Sequence, residues 1–350
     1  MPNGFRVVQK GQCTVELGAV VVVPGGRDLG AIQGTQFCAR QASENSRPLY
    51  SSRLPILGND VLQSWIERVR KLGLQNLWLI SPTDENAIWS RLRGFAQQGV
   101  ERLLMITLKS YAEMDLADLL RFHHETRNPV TEALDAQGQL GVRLLDHRAF
   151  HGTCENNESF RVPDNGGQTP YQFRGYAKRI LSAKERQELV GDALTGACAM
   201  RPFGKQIREQ VWIGEGAQLA DSVRVIGPTY IGARTVVRAG ATIGPFASVE
   251  HDCVVDCGTI VERSTVLPYT YLAPGLLIRH GLVDGGRLED LSWETVVDLQ
   301  PTGLGSRIRR GESRRKTFRE NDNSSRTGGA FVWGSRPSSG APQPWMQVQL

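Results

Sequence analysis

Between residues 211 and 276 every sixth position is aliphatic or small: Ile213, Leu219, Val225, Ile231, Val237, Ile243, Val249, Val255, Val261, Leu267 and Ala273. Two residues before each stands Val211, Ala217, Val223, Thr229, Thr235, Ala241, Ala247, Cys253, Thr259, Thr265 or Tyr271, mostly small. A period of six matches neither the helical turn of about 3.6 residues nor the two-residue alternation of a simple strand. It suits a coil of three short strands in which each strand sends an aliphatic side chain into a narrow core. The small residue fits beside it where the chain turns. Gly214, Gly232 and Gly244, which follow the aliphatic position, suit a tight corner. At about 18 residues per coil the stretch predicts three to four coils. An ordinary sandwich would have to produce this spacing by chance.

The region before the coil alternates strand and helix signals. Residues 18–23 (GAVVVV) read as a buried strand followed by Pro24-Gly25-Gly26. Residues 60–72 read as an amphipathic helix whose apolar face is Val61, Leu62, Trp65, Ile66, Val69 and Leu72, ended by Gly73. Strands are expected at 77–80 and 103–107, and helices at 85–98, 115–127 and about 177–194. A hairpin is expected around Asp135-Ala136-Gln137-Gly138, and the weakly patterned residues 151–175 read as a long loop or a degraded strand region. This alternation predicts an α/β domain with a mostly parallel sheet. The expected organisation is an α/β domain over 1–205, the coil domain over 206–300 and a basic disordered tail over 301–350.

Composition narrows the function classes. With 40% hydrophobic and 22% charged residues the chain reads as globular. No run of 18 or more apolar residues occurs, so no helix is expected to cross a membrane. The first 17 residues lack a signal-peptide pattern, and the six scattered cysteines show no paired metal spacing. A cytoplasmic setting with reduced thiols is therefore expected. Residues 301–350 carry eight Arg and one Lys against Glu312, Glu320 and Asp322, a net +6, while the whole chain carries +5. The basic balance belongs to the tail, which is available to a partner or an anionic membrane, and no specific nucleic-acid fold is indicated.

Three stretches carry a resemblance to the sugar-1-phosphate nucleotidyltransferases, the NDP-sugar pyrophosphorylases that include the GDP-mannose enzymes. Leu54-Pro55-Ile56-Leu57-Gly58 is similar to that family's LLPVxGKPLL segment. Residues 115–123 (DLADLLRFH), with Val130-Thr131 downstream, are similar to its vDLxxLLxFH stretch. Residues 262–270 (ERSTVLPYT), running on to Val283-Asp284-Gly285, are similar to its coil. Together they cover about residues 18–295. The resemblance implies a Rossmann-like nucleotidyltransferase domain followed by a left-handed parallel β-helix, with Mg²⁺ as the cofactor of an active member.

The same resemblance implies missing parts. The family's phosphate loop, GGxGTRLxPLT, is not reproduced after the first strand, although Gly25 and Gly26 remain as a phosphate cradle. Its PKP lysine falls on Ser51, and its metal-binding aspartate falls on Leu108-Lys109. An ammonium offers a divalent ion no lone pair, so no metal ligand is assigned. Lys109 could instead hold a sugar phosphate or sugar nucleotide directly. Phosphoryl-type transfer depends on positioned cations and donors, so these losses imply an impaired catalyst acting as a regulatory or scaffold subunit. Such a subunit would assemble through its coil as a homo-oligomer or with an active paralogue. An active nucleotidyltransferase with an atypical site is the contrary reading.

A second chemistry resides in the coil. Glu250-His251-Asp252-Cys253 is similar to the EHDC or EHEC motif of hexapeptide acyltransferases that modify sugar nucleotides. That resemblance implies His251 as general base toward an amine attacking acetyl-CoA, oriented by Asp252. The phase of the repeat puts His251 on the outside of the coil, and Cys253 at a small-residue core position.

Overall fold

The structure is a computed structural model that describes residues 17–22, 31–32, 55–74, 77–80, 100–147, 169–293, 295–299, 303–308, 330–333 and 347–349, with isolated positions between them. The chain divides into two compact units. One comprises Met1–Pro48 and Leu62–Ala177, the other Leu49–Val61 and Lys178–Leu350.

The first unit contains a seven-stranded sheet. Its strands are β1 (Leu17–Val22), β2 (Ala31–Ile32), β3 (Leu77–Ile80) and β4 (Arg102–Thr107). A short β5 (Ser110–Ala112) lies outside this sheet, and β6 (Val130–Asp135), β7 (Gly138–Asp146) and β8 (Tyr171–Gln172) complete it. The order is β2-β3-β1-β4-β7-β6-β8. β1 runs parallel to both β3 and β4, whereas β4 with β7, and β7 with β6, run antiparallel. The sheet is thus mixed, not mostly parallel. Only Ala136 and Gln137 separate β6 from β7, and so short a link permits a hairpin but not a parallel crossover. Asp135 accepts the Gln137 N–H at 2.9 Å and closes that turn.

Ala19, Val20 and Val21 of β1, and Leu103, Leu104 and Ile106 of β4, have no exposure, as central parallel strands covered on both faces require. Helix α1 (Val61–Lys71) buries Leu62, Trp65, Ile66 and Val69. It ends at Gly73, whose positive φ of 81° lets its N–H reach the Arg70 carbonyl at 2.9 Å. Helix α2 (Leu116–Thr126) starts where Asp115 accepts the Ala117 N–H at 2.9 Å. The helix expected at 85–98 and residues 151–168 of the weakly patterned stretch fall almost wholly outside the described residues, while Tyr171–Gln172 within that stretch is the strand β8, paired with Ala133–Leu134.

In the second unit, helix α3 (Ala183–Thr195) begins six residues later than the apolar pattern suggests. Ser182 and Glu185 form a reciprocal capping box that fixes its first turn, and Ala177–Arg179 is extended. The coil is a parallel β-solenoid of about four turns, the left-handed β-helix of the expectation. One face stacks Val211–Ile213, Thr229–Ile231, Ala247–Val249, Thr265–Val266 and Gly281–Asp284. A second face stacks Gln218–Leu219, Val236–Val237, Val254–Val255 and Thr270–Leu272. The third stacks Arg224–Val225, Thr242–Ile243, Ile260–Glu262 and Leu276–Arg279.

The six-residue ladder holds through Val261 and then slips by one. Val211 pairs with Thr229 and Thr229 with Ala247, whereas Ser248 pairs with Thr265 and Val254 with Tyr271, one residue sooner. The inward residues become Val266, Leu272 and Ile278 instead of Leu267 and the next sixth positions. Leu267 packs in a separate cluster with Ala183 and Leu282, while Ala273 stays at the core margin, 7% exposed. The cause is the corner after Val261. It lacks the Gly-Pro of the two corners above it (Gly227-Pro228 and Gly244-Pro245) and is one residue shorter.

Glycine at 214 and 232 answers to stacking, not to the corner's dihedral angles. A Cβ on Gly232 would lie 2.5 Å from the His251 nitrogen of the next coil, and one on Gly214 would lie 2.3 Å from that of Ala233. The small threonines also have a task. Thr235 Oγ1 donates to the Glu250 carbonyl at 2.8 Å and Thr259 Oγ1 to the Ala273 carbonyl at 2.7 Å. Beyond residue 300, Gly305–Arg307 pairs with Thr270–Leu272, and Ala330–Trp333 pairs with the strand Leu276–Arg279. Most of the region expected as a tail lies outside the described residues.

Ile243 has no exposure inside the coil, whereas Ile226 is 40% exposed. Ile243→Ala is expected to cost about 2–5 kcal/mol and Ile226→Ala under about 1 kcal/mol. Urea unfolding followed by circular dichroism measures both, and equal losses would contradict the inward ladder.

Candidate functional site

The resemblance directs attention first to the carboxyl ends of β1 and β4, where ligands bind in open α/β sheets. Val22 pairs with Thr107, so both strands end at one level. Lys109 follows immediately; it is exposed, and its N–H bonds the Thr107 carbonyl at 2.7 Å. The segment leaving β1 departs from this same end, although Gly25, Gly26 and Ser51 lie outside the described residues. The described side chains here do not fit Mg²⁺. Lys109 brings a cation, the Asp115 carboxylate serves the first turn of α2, and Glu113 accepts from the Tyr111 hydroxyl at 3.2 Å. Among the described residues no three His, Cys, Asp or Glu side chains converge as a metal cluster would. His123 is not a ligand either. It is buried on α2 with its Nδ1 2.8 Å from Thr131 Oγ1, and burial lowers its pKa.

In the coil, four consecutive residues meet three different environments. Glu250 has no exposure and points away from the core; His251 and Asp252 sit on a corner, their side chains 29% and 24% exposed; Cys253 faces inward. His251 Nδ1 lies 2.9 Å from Asp252 Oδ2, and Asp252 receives both Arg234 Nε at 2.7 Å and Arg234 Nη2 at 2.5 Å. The Tyr269 ring stands edge-on to the imidazole, with centroids 5.2 Å apart. Partial burial works to raise the Asp252 carboxyl, but the hydrogen bonds from Arg234 and His251 outweigh it and hold its pKa low. With Nδ1 engaged, Nε2 is the nitrogen left to accept a proton. This arrangement brings together the residues the motif singled out and adds Arg234, one coil back at the same corner, which a six-residue period alone does not mark as a partner.

No sequence signal marks the cluster around Glu250. Ile56–Asn59 forms a tight turn closed by Ile56 N–H to Asn59 O at 2.7 Å and Asn59 N–H to Ile56 O at 3.0 Å. Its central residues both have positive φ, 54° at Leu57 and 75° at Gly58, the type I′ pattern. Their N–H groups both donate to the Glu250 carboxylate, at 2.8 and 2.9 Å. Ser248 Oγ adds a third contact at 3.2 Å. Arg186 on α3 is buried, donates to the Pro55 carbonyl and acts electrostatically on Glu250 and Asp60. Burial lowers the Arg186 pKa to about 10, and burial with the Glu250 charge raises that of Tyr230. A Cβ on Gly58 would lie 2.4 Å from the Tyr230 hydroxyl oxygen, so this turn admits only glycine there. Residues 193 apart in sequence carry no periodic or motif signature of their contact.

Comparison with known proteins agrees with this fold. A stretch of 102 residues, 29% of the chain, is 28% identical to the UTP–glucose-1-phosphate uridylyltransferase of Synechocystis sp., of which it covers 26%. A stretch of 136 residues, 37% of the chain, is 29% identical to the bifunctional protein GlmU of Tropheryma whipplei, of which it covers 22%. The chain thus spans about a quarter of the length of these curated relatives. No protein-family profile matches it. At this low identity, the likenesses and the β-solenoid fit a sugar-1-phosphate nucleotidyltransferase fold with a C-terminal β-helix. Among the described residues no helix is long and apolar enough to cross a membrane.

Burial raises the Glu250 pKa from 4.5 to about 7, against the lowering effects of Arg186 and the Gly58 and Leu57 N–H groups. A folded-state pKa above the unfolded one means that its contribution is whole at acid pH and is lost as pH rises to about 7. The expected change is on the order of 3 kcal/mol, and Glu250→Gln removes this pH dependence while lowering stability throughout. Denaturant midpoints measured from pH 4.5 to 8 check it; parallel curves for the two proteins would refute the assignment.

Proposed function

We propose that the chain is a cytoplasmic nucleotidyltransferase-like protein of sugar-nucleotide and polysaccharide-precursor synthesis that no longer performs nucleotidyl transfer. It acts as a regulatory or scaffold subunit, assembling through the coil with itself or with an active paralogue. The supporting observation is the ammonium of Lys109 at the carboxyl end of β4, where the resemblance calls for a metal-binding carboxylate. Without a metal ligand, the charge that develops on the transferring phosphate lacks its main stabiliser. Lys109 instead retains the capacity to hold a sugar nucleotide without turning it over. The full chain with UTP or GTP, a sugar 1-phosphate and Mg²⁺ is expected to release pyrophosphate at the uncatalysed rate. Mg²⁺-dependent release abolished by EDTA would overturn the proposal.

A second reading rests on the hydrogen-bonded series Arg234, Asp252, His251. In an acyltransferase, Nε2 of His251 would take the proton of an attacking amine as the amide forms and the thiolate of coenzyme A leaves. Asp252 would hold the ring and stabilise its charged form. On this reading His251→Ala lowers acetyl-CoA turnover by about 10²–10⁴-fold, measured by thiol release. No turnover with any amino sugar nucleotide, or turnover unaffected by the substitution, removes it.

A further inference from the structure

We propose that the cleft between α3 and the coil corner bearing Phe246, Arg263 and His280 binds a small phosphorylated molecule by its phosphate group. The cleft measures about 410 Å³, within the range of small-molecule sites. The pairing of Ser248 with Thr265 and of Thr265 with Leu282 sets Phe246, Arg263 and His280 one above another, on successive coils about 5 Å apart. Lys184 approaches from the first turn of α3.

Three observations turn this cleft into an anion site. The first is charge. Elsewhere in this unit Arg234, Arg238, Arg279, Arg307 and Lys178 are tied to carboxylates. Lys184, Arg263 and His280 are exposed and make no ion pair among the described residues. The one carboxylate lining the cleft, Glu188, is held by Lys178 at 3.0 Å. The second is preorganisation. The Arg263 guanidinium lies over the Phe246 ring, 5.1 Å from its centroid, which fixes its plane and leaves its edge free for two parallel bonds to a phosphate. Gln187 ties α3 to the coil at both ends of its amide. Its Nε2 donates to the Phe246 carbonyl at 3.0 Å, and its Oε1 accepts from Thr265 Oγ1 at 2.6 Å, so the wall is rigid.

The third is backbone geometry. Phe246, Arg263 and His280 have φ of 53°, 46° and 49°, the left-handed region that glycine occupies without strain. On another corner of the same coil that conformation is taken by Gly240, Gly258 and Gly275. Here side chains are kept where glycine would be easier. Phe246 and Leu291 give the cleft an apolar wall and Ser292 a hydroxyl, which suits a phosphate ester of a small hydroxylated body. The inference does not depend on whether the first unit retains any chemistry.

Isothermal titration of the full chain with glucose 1-phosphate, and separately with inorganic phosphate, tests it at a fixed ionic strength of about 0.15 M. The expectation is saturable binding that the Lys184→Gln, Arg263→Gln double variant weakens at least about tenfold. His280→Glu should weaken it similarly by placing a carboxylate at the site, and unliganded melting curves show whether each variant folds. Arg279→Gln, outside the cleft lining, should leave the affinity within about twofold. Equal affinity for inorganic phosphate would support the site with the free anion as its ligand; tighter binding of the ester would support the ester. Absence of saturable binding at millimolar ligand would overturn the proposal, as would an equal loss in Arg279→Gln.

Discussion

A carboxylate sealed from water must find its donors in the protein, and Glu250 finds them in the backbone of a turn far away in sequence. The Leu57 and Gly58 amides point at one acceptor only because both residues adopt left-handed conformations, and for leucine that conformation is strained. The turn holds its shape because the carboxylate binds it, and the carboxylate stays buried because the turn is there. Arg186 extends the same arrangement to α3 through the Pro55 carbonyl. Removing one member leaves another buried and unpaired, the costly way to break such a cluster. The segment that resembles the family's LLPVxGKPLL stretch thus has a structural duty on the coil.

Regular patterns in the sequence foretold the coil, and irregular contacts escaped it. The aliphatic ladder from Ile213 to Val261 required one side chain per strand, and burial at Val237, Ile243, Val249 and Val255 follows. Even the slip after Val261 had a trace, the missing Gly-Pro at that corner, but a fixed count of six overrides so small a cue. In the α/β unit, Gly73 marked a helix end well, because caps are local chemistry. The sheet's mixed sense followed from a two-residue turn that was read as a hairpin without its consequence for the sheet. Of the site, the sequence offered His251 with Asp252 and also Lys109. It could not offer Arg234 beside Asp252 or the Phe246–Arg263–His280 stack, which depend on how coils superpose, or Glu250 against Leu57, which depends on how a distant turn meets the coil.

The chemistry divides along the two units. At the end of β4 the described residues present the cation of Lys109, which on the proposed function retains a phosphate without transferring it. The coil, in contrast, is rich in organised polar groups: a histidine held by a carboxylate on one corner and the Arg263 guanidinium over the Phe246 ring on another. The proposed loss of transfer chemistry, together with the proposed phosphate cleft, would make the chain a sensor of sugar phosphates and not a maker of sugar nucleotides.

Manganese substitutes for magnesium and reports its own coordination, so electron paramagnetic resonance of Mn²⁺·UTP titrated with the full chain tests the central claim most directly. The spectrum should remain that of Mn²⁺·UTP alone, because no described carboxylate stands ready at the end of β4 to take the ion. A protein-bound manganese signal that appears on titration and is displaced by Mg²⁺ would contradict the account.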